Sequence, residues 1–77
     1  MELEMLKNIV SEVMKCDPKE LSEATTFVED LGADSLDVFR IVMGIEESFN
    51  IKLPSDSVSK LSTVKDAMLL IRKVKKA

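Results

Sequence analysis

The sequence predicts an all-α fold, a small bundle of three main helices plus one short helix. Three observations carry the prediction. Apolar residues recur at helical spacing in three separate stretches, turn-forming residues divide those stretches, and nothing alternates with period two for long enough to make a strand. The expected order is up-down, with a long loop between the first and second helices. With 77 residues there is room for one domain, taken as 1–77.

The first helix is expected over residues 2–15, where Leu3, Leu6, Ile9, Val10 and Val13 share a face and Glu2 and Glu4 occupy the first turn. Cys16-Asp17-Pro18 stops it, because proline disfavours helical geometry in the residue before it. Residues 17–33 hold turn formers and Gly32, with Leu21, Phe27, Val28 and Leu31 as expected anchors. A loop of this length in a small domain is functional or is pinned by its own side chains.

The second helix is expected from Ser35 to Phe49, with Asn50 as terminator and Pro54 blocking continuation. Residues 56–60 suit one short helical turn. The last helix, 64–75, puts Val64, Ala67, Met68, Ile71 and Val74 on one face, with Thr63 as N-cap and Asp66 completing a capping box.

Composition limits what this bundle can do. A short chain buries a modest core, and the usual staples are missing. One cysteine cannot close an internal disulfide, and the lack of histidine argues against a structural zinc site. Stability must come from packing, for which 45% hydrophobic residues supply the material. Cys16 has no histidine to activate it and reads as an inert thiol.

The net charge of −3 is unevenly spread. Residues 1–34 hold nine acids and three bases, residues 35–50 three acids and one base, and residues 51–77 two acids and seven bases. The acidic front should attract basic partners and repel nucleic acid. The basic run Arg72-Lys73-Val74-Lys75-Lys76 is read as a complement to the negative end of the last helix rather than as a nucleic-acid arm. No apolar run reaches the roughly eighteen residues that cross a bilayer. The first residues lack the pattern of a signal peptide, so a cytoplasmic protein is expected; the expected oligomeric state is a monomer.

Around the second helix the apolar positions divide into two groups. Val38, Ile41, Val42, Ile45 and Phe49 form a core face, while Leu36, Phe39 and Met43 fall opposite, flanked by Asp37, Arg40, Glu46 and Glu47. A helix in a small bundle buries one broad face, so the second group should form an exposed docking stripe with a charged rim. The plain alternative tucks Phe39 under the long loop and makes the stripe incidental.

At the start of this helix, Asp34 is a good N-cap and Asp37 lies three residues later, a variant of the capping box. Ser35 then falls at the first helical position with its hydroxyl free. Taken alone, a serine beside an acid at a helix start is an ordinary capping device. With no histidine in the chain to act as base, it is not an enzymatic nucleophile either.

The run Phe27-Val28-Glu29-Asp30-Leu31-Gly32-Ala33-Asp34-Ser35-Leu36-Asp37 resembles the signature of acyl carrier proteins of type II fatty acid synthesis. The resemblance continues through Val42-Met43-Gly44-Ile45-Glu46-Glu47-Ser48-Phe49, Ile51-Lys52-Leu53-Pro54 and Leu61-Ser62-Thr63-Val64. It implies that Ser35 accepts 4′-phosphopantetheine from coenzyme A, attached by a separate holo-acyl-carrier synthase, and that acyl groups ride on the arm as thioesters. The resemblance implies no catalytic residue and no metal in the carrier itself; Glu29, Asp30 and Asp34 offer carboxylates alone, a poor indicator of an ion site.

The same resemblance implies a docking face of Asp34, Leu36, Asp37, Met43, Glu46 and Glu47 against basic patches on acyl-processing enzymes. It implies an acyl-chain pocket lined by Phe27, Ile41, Ile45, Leu53, Leu61 and Ala67, with Gly44 fitting a loosely packed core. Two departures bear on partner choice. Arg40 stands where such carriers commonly have glutamate, and Phe39 replaces a smaller residue, so both join the expected recognition set. The stretch Ser55-Asp56-Ser57-Val58-Ser59 is also less acidic than is usual. The rival readings are a carrier of another cargo, such as D-alanine or a polyketide, and a plain helical interaction module.

Overall fold

A computed structural model describes residues 2–76; Met1 and Ala77, the ends of the expected domain, and the side chain of Lys76 lie outside the described residues. Four helices follow one another, α1 (Glu2–Met14), α2 (Ser35–Phe49), α3 (Ser55–Val58) and α4 (Val64–Lys76), with a single 3₁₀ turn at Pro18–Glu20. Among the described residues there is no strand, only an isolated antiparallel bridge between Thr26 and Thr63. The all-α expectation of three main helices and one short one is what the chain adopts.

Helix ends differ from the sequence expectation in small, explicable ways. Helix α1 stops one residue early because Lys15 takes a left-handed conformation, φ 55°. The Cys16 N–H then reaches back to the Ser11 carbonyl at 3.1 Å, closing the last turn before Pro18 can act. Asn50 ends α2 in the same way, at φ 54° with the Ile51 N–H on the Glu46 carbonyl. Helix α3 covers Ser55–Val58 rather than 56–60, as Pro54 supplies a ready-made entry. Thr63 and Asp66 form the expected reciprocal cap at the start of α4.

The long loop is pinned at several points. Leu21, Phe27 and Ala33 are buried in the core, while Thr26 and Asp30 exchange side-chain to backbone hydrogen bonds of 2.9 Å. The Phe27 N–H donates to Ser62 and the Val64 N–H to Thr25, stitching the loop to the entry of α4. Val28, expected as an anchor, is instead 64% exposed. Of two adjacent apolar side chains in a pinned segment, only Phe27 faces in.

The core unites Leu6 and Val10 of α1, Ile41, Val42 and Ile45 of α2, and Val64, Ala67, Met68 and Ile71 of α4 with the loop anchors. Helix α1 packs on both α2 and α4. Gly44 has a definite role here that replaces the expected looseness. A Cβ at this position would lie 2.8 Å from Ile9 Cγ2, so the missing side chain lets α1 approach α2 closely. Glu2 ties the start of α1 to α4, at 3.4 Å from Arg72 and 3.5 Å from Lys75. Arg72 and Lys75 of the basic run thus carry a structural contact, and Lys75 Nζ also sits 5.7 Å from the Phe49 ring centroid.

Gly44→Ala gains about 1 kcal/mol of helix propensity but forces Ile9 aside, an overpacking cost of about 1–3 kcal/mol. The net expected result is a lowered Tm in thermal unfolding. Partial burial pushes the Glu2 carboxyl up, but Lys75 and Arg72 outweigh that effect and hold it below its ordinary 4.5. The contribution of this contact to stability is present above pH 4.5 and is lost as pH falls through the lower folded value. Glu2→Gln should therefore narrow its stability deficit on acidification, as measured by urea unfolding from pH 7 to pH 3.

Candidate functional site

The first N–H groups of α2 need acceptors from outside the helix. Asp34, in extended conformation, accepts the Asp37 N–H at 2.9 Å, and Asp37 accepts the Asp34 N–H at 3.3 Å. This reciprocal cap places Ser35 at the first helical position. Its side chain is exposed, and among the described residues no group hydrogen-bonds its hydroxyl. The approach to this point is fixed by Gly32, at φ +69°, where any other residue would be strained, and by Ala33, which is 4% exposed and donates its N–H to Phe27.

Beside Ser35 opens a cleft of about 560 Å³, walled by Val28, Ala33, Val38, Phe39, Val58 and Leu61, with Asp34 and Ser59 at its polar margin. A second hollow of about 400 Å³ shares Phe39 and Val58 and reaches Val42, Leu53 and Glu46, so the open space follows the gap between α2 and α3. Sequence reasoning passed over Val28, Val38, Val58 and Ser59 as wall residues. The signal available was weak: a β-branched residue next to a better core anchor at 28, and a lone valine in a serine-rich stretch at 58.

The residues expected to line an acyl pocket are brought together, but most lie behind this cleft. Phe27, Ile41, Ile45 and Ala67 are at most 2% exposed and Leu53 is 8% exposed, all within the packed core. Leu61 alone of the six belongs to both the core margin and the cleft wall.

The outer face of α2 emerges as expected. Leu36, Phe39 and Met43 are each at least half exposed, so Phe39 is not tucked beneath the loop. Asp34, Arg40 and Glu47 are exposed beside them, whereas Asp37 and Glu46 are half-buried. The two glutamates differ in kind. Glu46 accepts the Leu53 N–H at 2.8 Å and tethers the segment between α2 and α3, while Glu47 faces solvent. Asp30 and Asp34 are committed to backbone N–H groups, and among the described residues no group of three or more potential metal ligands assembles.

The family model for the phosphopantetheine attachment site matches residues 4–71. The chain belongs to the acyl carrier proteins. It is 47% identical to the acyl carrier protein of Zymomonas mobilis over 68 residues, covering 88% of this chain and 87% of that one. It is also 47% identical to that of Wolinella succinogenes over 66 residues, covering 86% and 87%. The crystal structure of an acyl carrier protein from Thermotoga maritima superposes with a TM-score of 0.79 at 35% identity, over 92% of this chain and 82% of that one. Acyl carrier proteins deliver bound acyl groups to acyl-processing enzymes and catalyse nothing themselves.

The family's cofactor is 4′-phosphopantetheine, and the local geometry fits it. An accessible hydroxyl relieved of capping duty stands at the rim of an apolar cleft. When bound, the group supplies a terminal thiol that holds an acyl chain as a thioester. Of this chain's own residues, Ser35 would offer the oxygen, and Val38, Phe39, Val58 and Leu61 would offer apolar walls beside it. The contrast between Glu46 and Glu47 yields a measurable outcome. Glu46→Ala should cost about 1–3 kcal/mol by leaving the Leu53 N–H without its acceptor. Glu47→Ala should stay within about 0.5 kcal/mol in chemical unfolding.

Proposed function

We propose that Ser35 is the attachment residue for 4′-phosphopantetheine, and that the chain carries acyl intermediates of fatty acid synthesis. The observation that carries this reading is the division of labour at the start of α2. Asp34 and Asp37 satisfy each other's backbone N–H groups, and the adjacent serine hydroxyl is left exposed beside an apolar cleft. The chain contains no histidine, so deprotonation of that hydroxyl falls to a holo-acyl-carrier synthase. In this reading 1–77 is one carrier domain that acts as a cytoplasmic monomer.

Docking falls to the outer face of α2. Leu36, Phe39 and Met43 supply apolar contact, and Asp34, Asp37, Glu46 and Glu47 supply negative charge that guides basic patches of partner enzymes toward it. The acyl chain lies first along Val38, Phe39, Val58 and Leu61 and reaches Phe27, Ile41, Ile45, Leu53 and Ala67 only if the core gives way.

The test is an intact-mass measurement after incubation with coenzyme A and a promiscuous phosphopantetheinyl transferase. The wild type should gain one phosphopantetheine and Ser35→Ala none; an unchanged wild-type mass ends the carrier reading. The modified protein should then accept malonyl from a malonyl transferase. Failure there, with loading by a D-alanine ligase, would reassign the cargo.

A further inference from the structure

Arg40 is exposed on the outer face of α2, one helical turn from Leu36 and from Met43, both themselves at least half exposed. On its own helix it has no carboxylate at the four-residue spacing, where Leu36 and Gly44 stand. Asp37, three residues back, is the one acid within a turn, and its carboxylate accepts the Asp34 N–H. Among the described residues the ion pairs are those of Glu2 with Arg72 and Lys75, so the guanidinium meets no internal counter-charge. An unpaired cation therefore stands at the edge of the apolar stripe, in a rim that is otherwise acidic.

A docking partner must meet both signs. Its cations complement Asp34 and Glu47, but a cation opposite Arg40 would be repelled as water leaves the apolar contact and the local dielectric falls. A carboxylate at that place would take up the planar guanidinium with two parallel hydrogen bonds. We infer that Arg40 is a partner-selecting residue: the enzyme face that fits this chain is basic, with one carboxylate set among its cations opposite Arg40. Faces that are uniformly basic are disfavoured. This rests on the docking role proposed above for α2 and specifies the chemistry of the partner.

The inference is tested by binding, without the prosthetic arm, so that it stands apart from the attachment chemistry. The probe is a malonyl transferase with a uniformly basic docking face, together with a panel in which each lysine or arginine of that face is replaced in turn by glutamate. Wild type, Arg40→Gln and Arg40→Glu are titrated against each member by calorimetry, with circular dichroism confirming unchanged helix content. On the unmodified face Arg40→Glu should bind about tenfold tighter than wild type, with Arg40→Gln between them. On one member of the panel the order should reverse by a similar factor. Equal binding by the three proteins, or an order that never reverses, overturns the inference. So does binding to phosphatidylglycerol vesicles that Arg40→Glu abolishes, which would assign the residue to a lipid surface. Absence of phosphopantetheine on Ser35 would sink the attachment reading while leaving these binding results to be judged separately.

Discussion

The first turn of α2 presents backbone N–H groups that have no intrahelical acceptor, and the way the chain satisfies them decides what Ser35 is free to do. In many helices a serine at this place would be spent on the backbone. Here two aspartates, one on each side of the serine, close the reciprocal cap between themselves. The serine is held in position by its neighbours and owes nothing to the helix in return. Its placement also depends on Phe27, Gly32 and Ala33, which bring the loop out of the core and turn it into the helix. The apolar cleft lies beside the hydroxyl because that same loop is stitched to the entry of α4, close to Leu61.

A second constraint is the size of the bundle. Fifteen residues of α2 carry more apolar side chains than one core face can absorb, and the surplus is not scattered. Ile41, Val42 and Ile45 are buried in the common core, with Gly44 permitting the close approach of α2 to Ile9 of α1. Leu36, Phe39 and Met43 are left in a line on the outside. The inner face is fixed by close packing, so the outer face presents its side chains from a rigid support. That is the favourable case for a recognition surface, since little ordering remains to be done on contact.

Most of this plan was legible in the residues themselves. The bounds of α2, its cap and its two apolar faces follow from local pattern, because each depends on neighbours within a turn or two. What escaped depends on distant parts of the chain or on direction. The bridge between Thr26 and Thr63, the outward turn of Val28 and the meeting of Gly44 with Ile9 join segments far apart in sequence. The left-handed Lys15 was hidden because lysine has no special claim on that conformation, whereas Asn50 was foreseeable. Glu46 and Glu47 look alike in sequence; only the return of the chain to Leu53 separates a tether from a solvent-facing charge.

The two walls of the cleft are unequally anchored. On one side stands α2, four turns long and packed through its inner face; on the other stands α3, a single turn with no side-chain cap and no buried residue. Local stability follows the amount of buried contact, so the α3 wall yields at lower cost than the α2 wall. Any widening of the cleft therefore falls to the thin partition at Ser55–Val58, while the outer face of α2 keeps its shape.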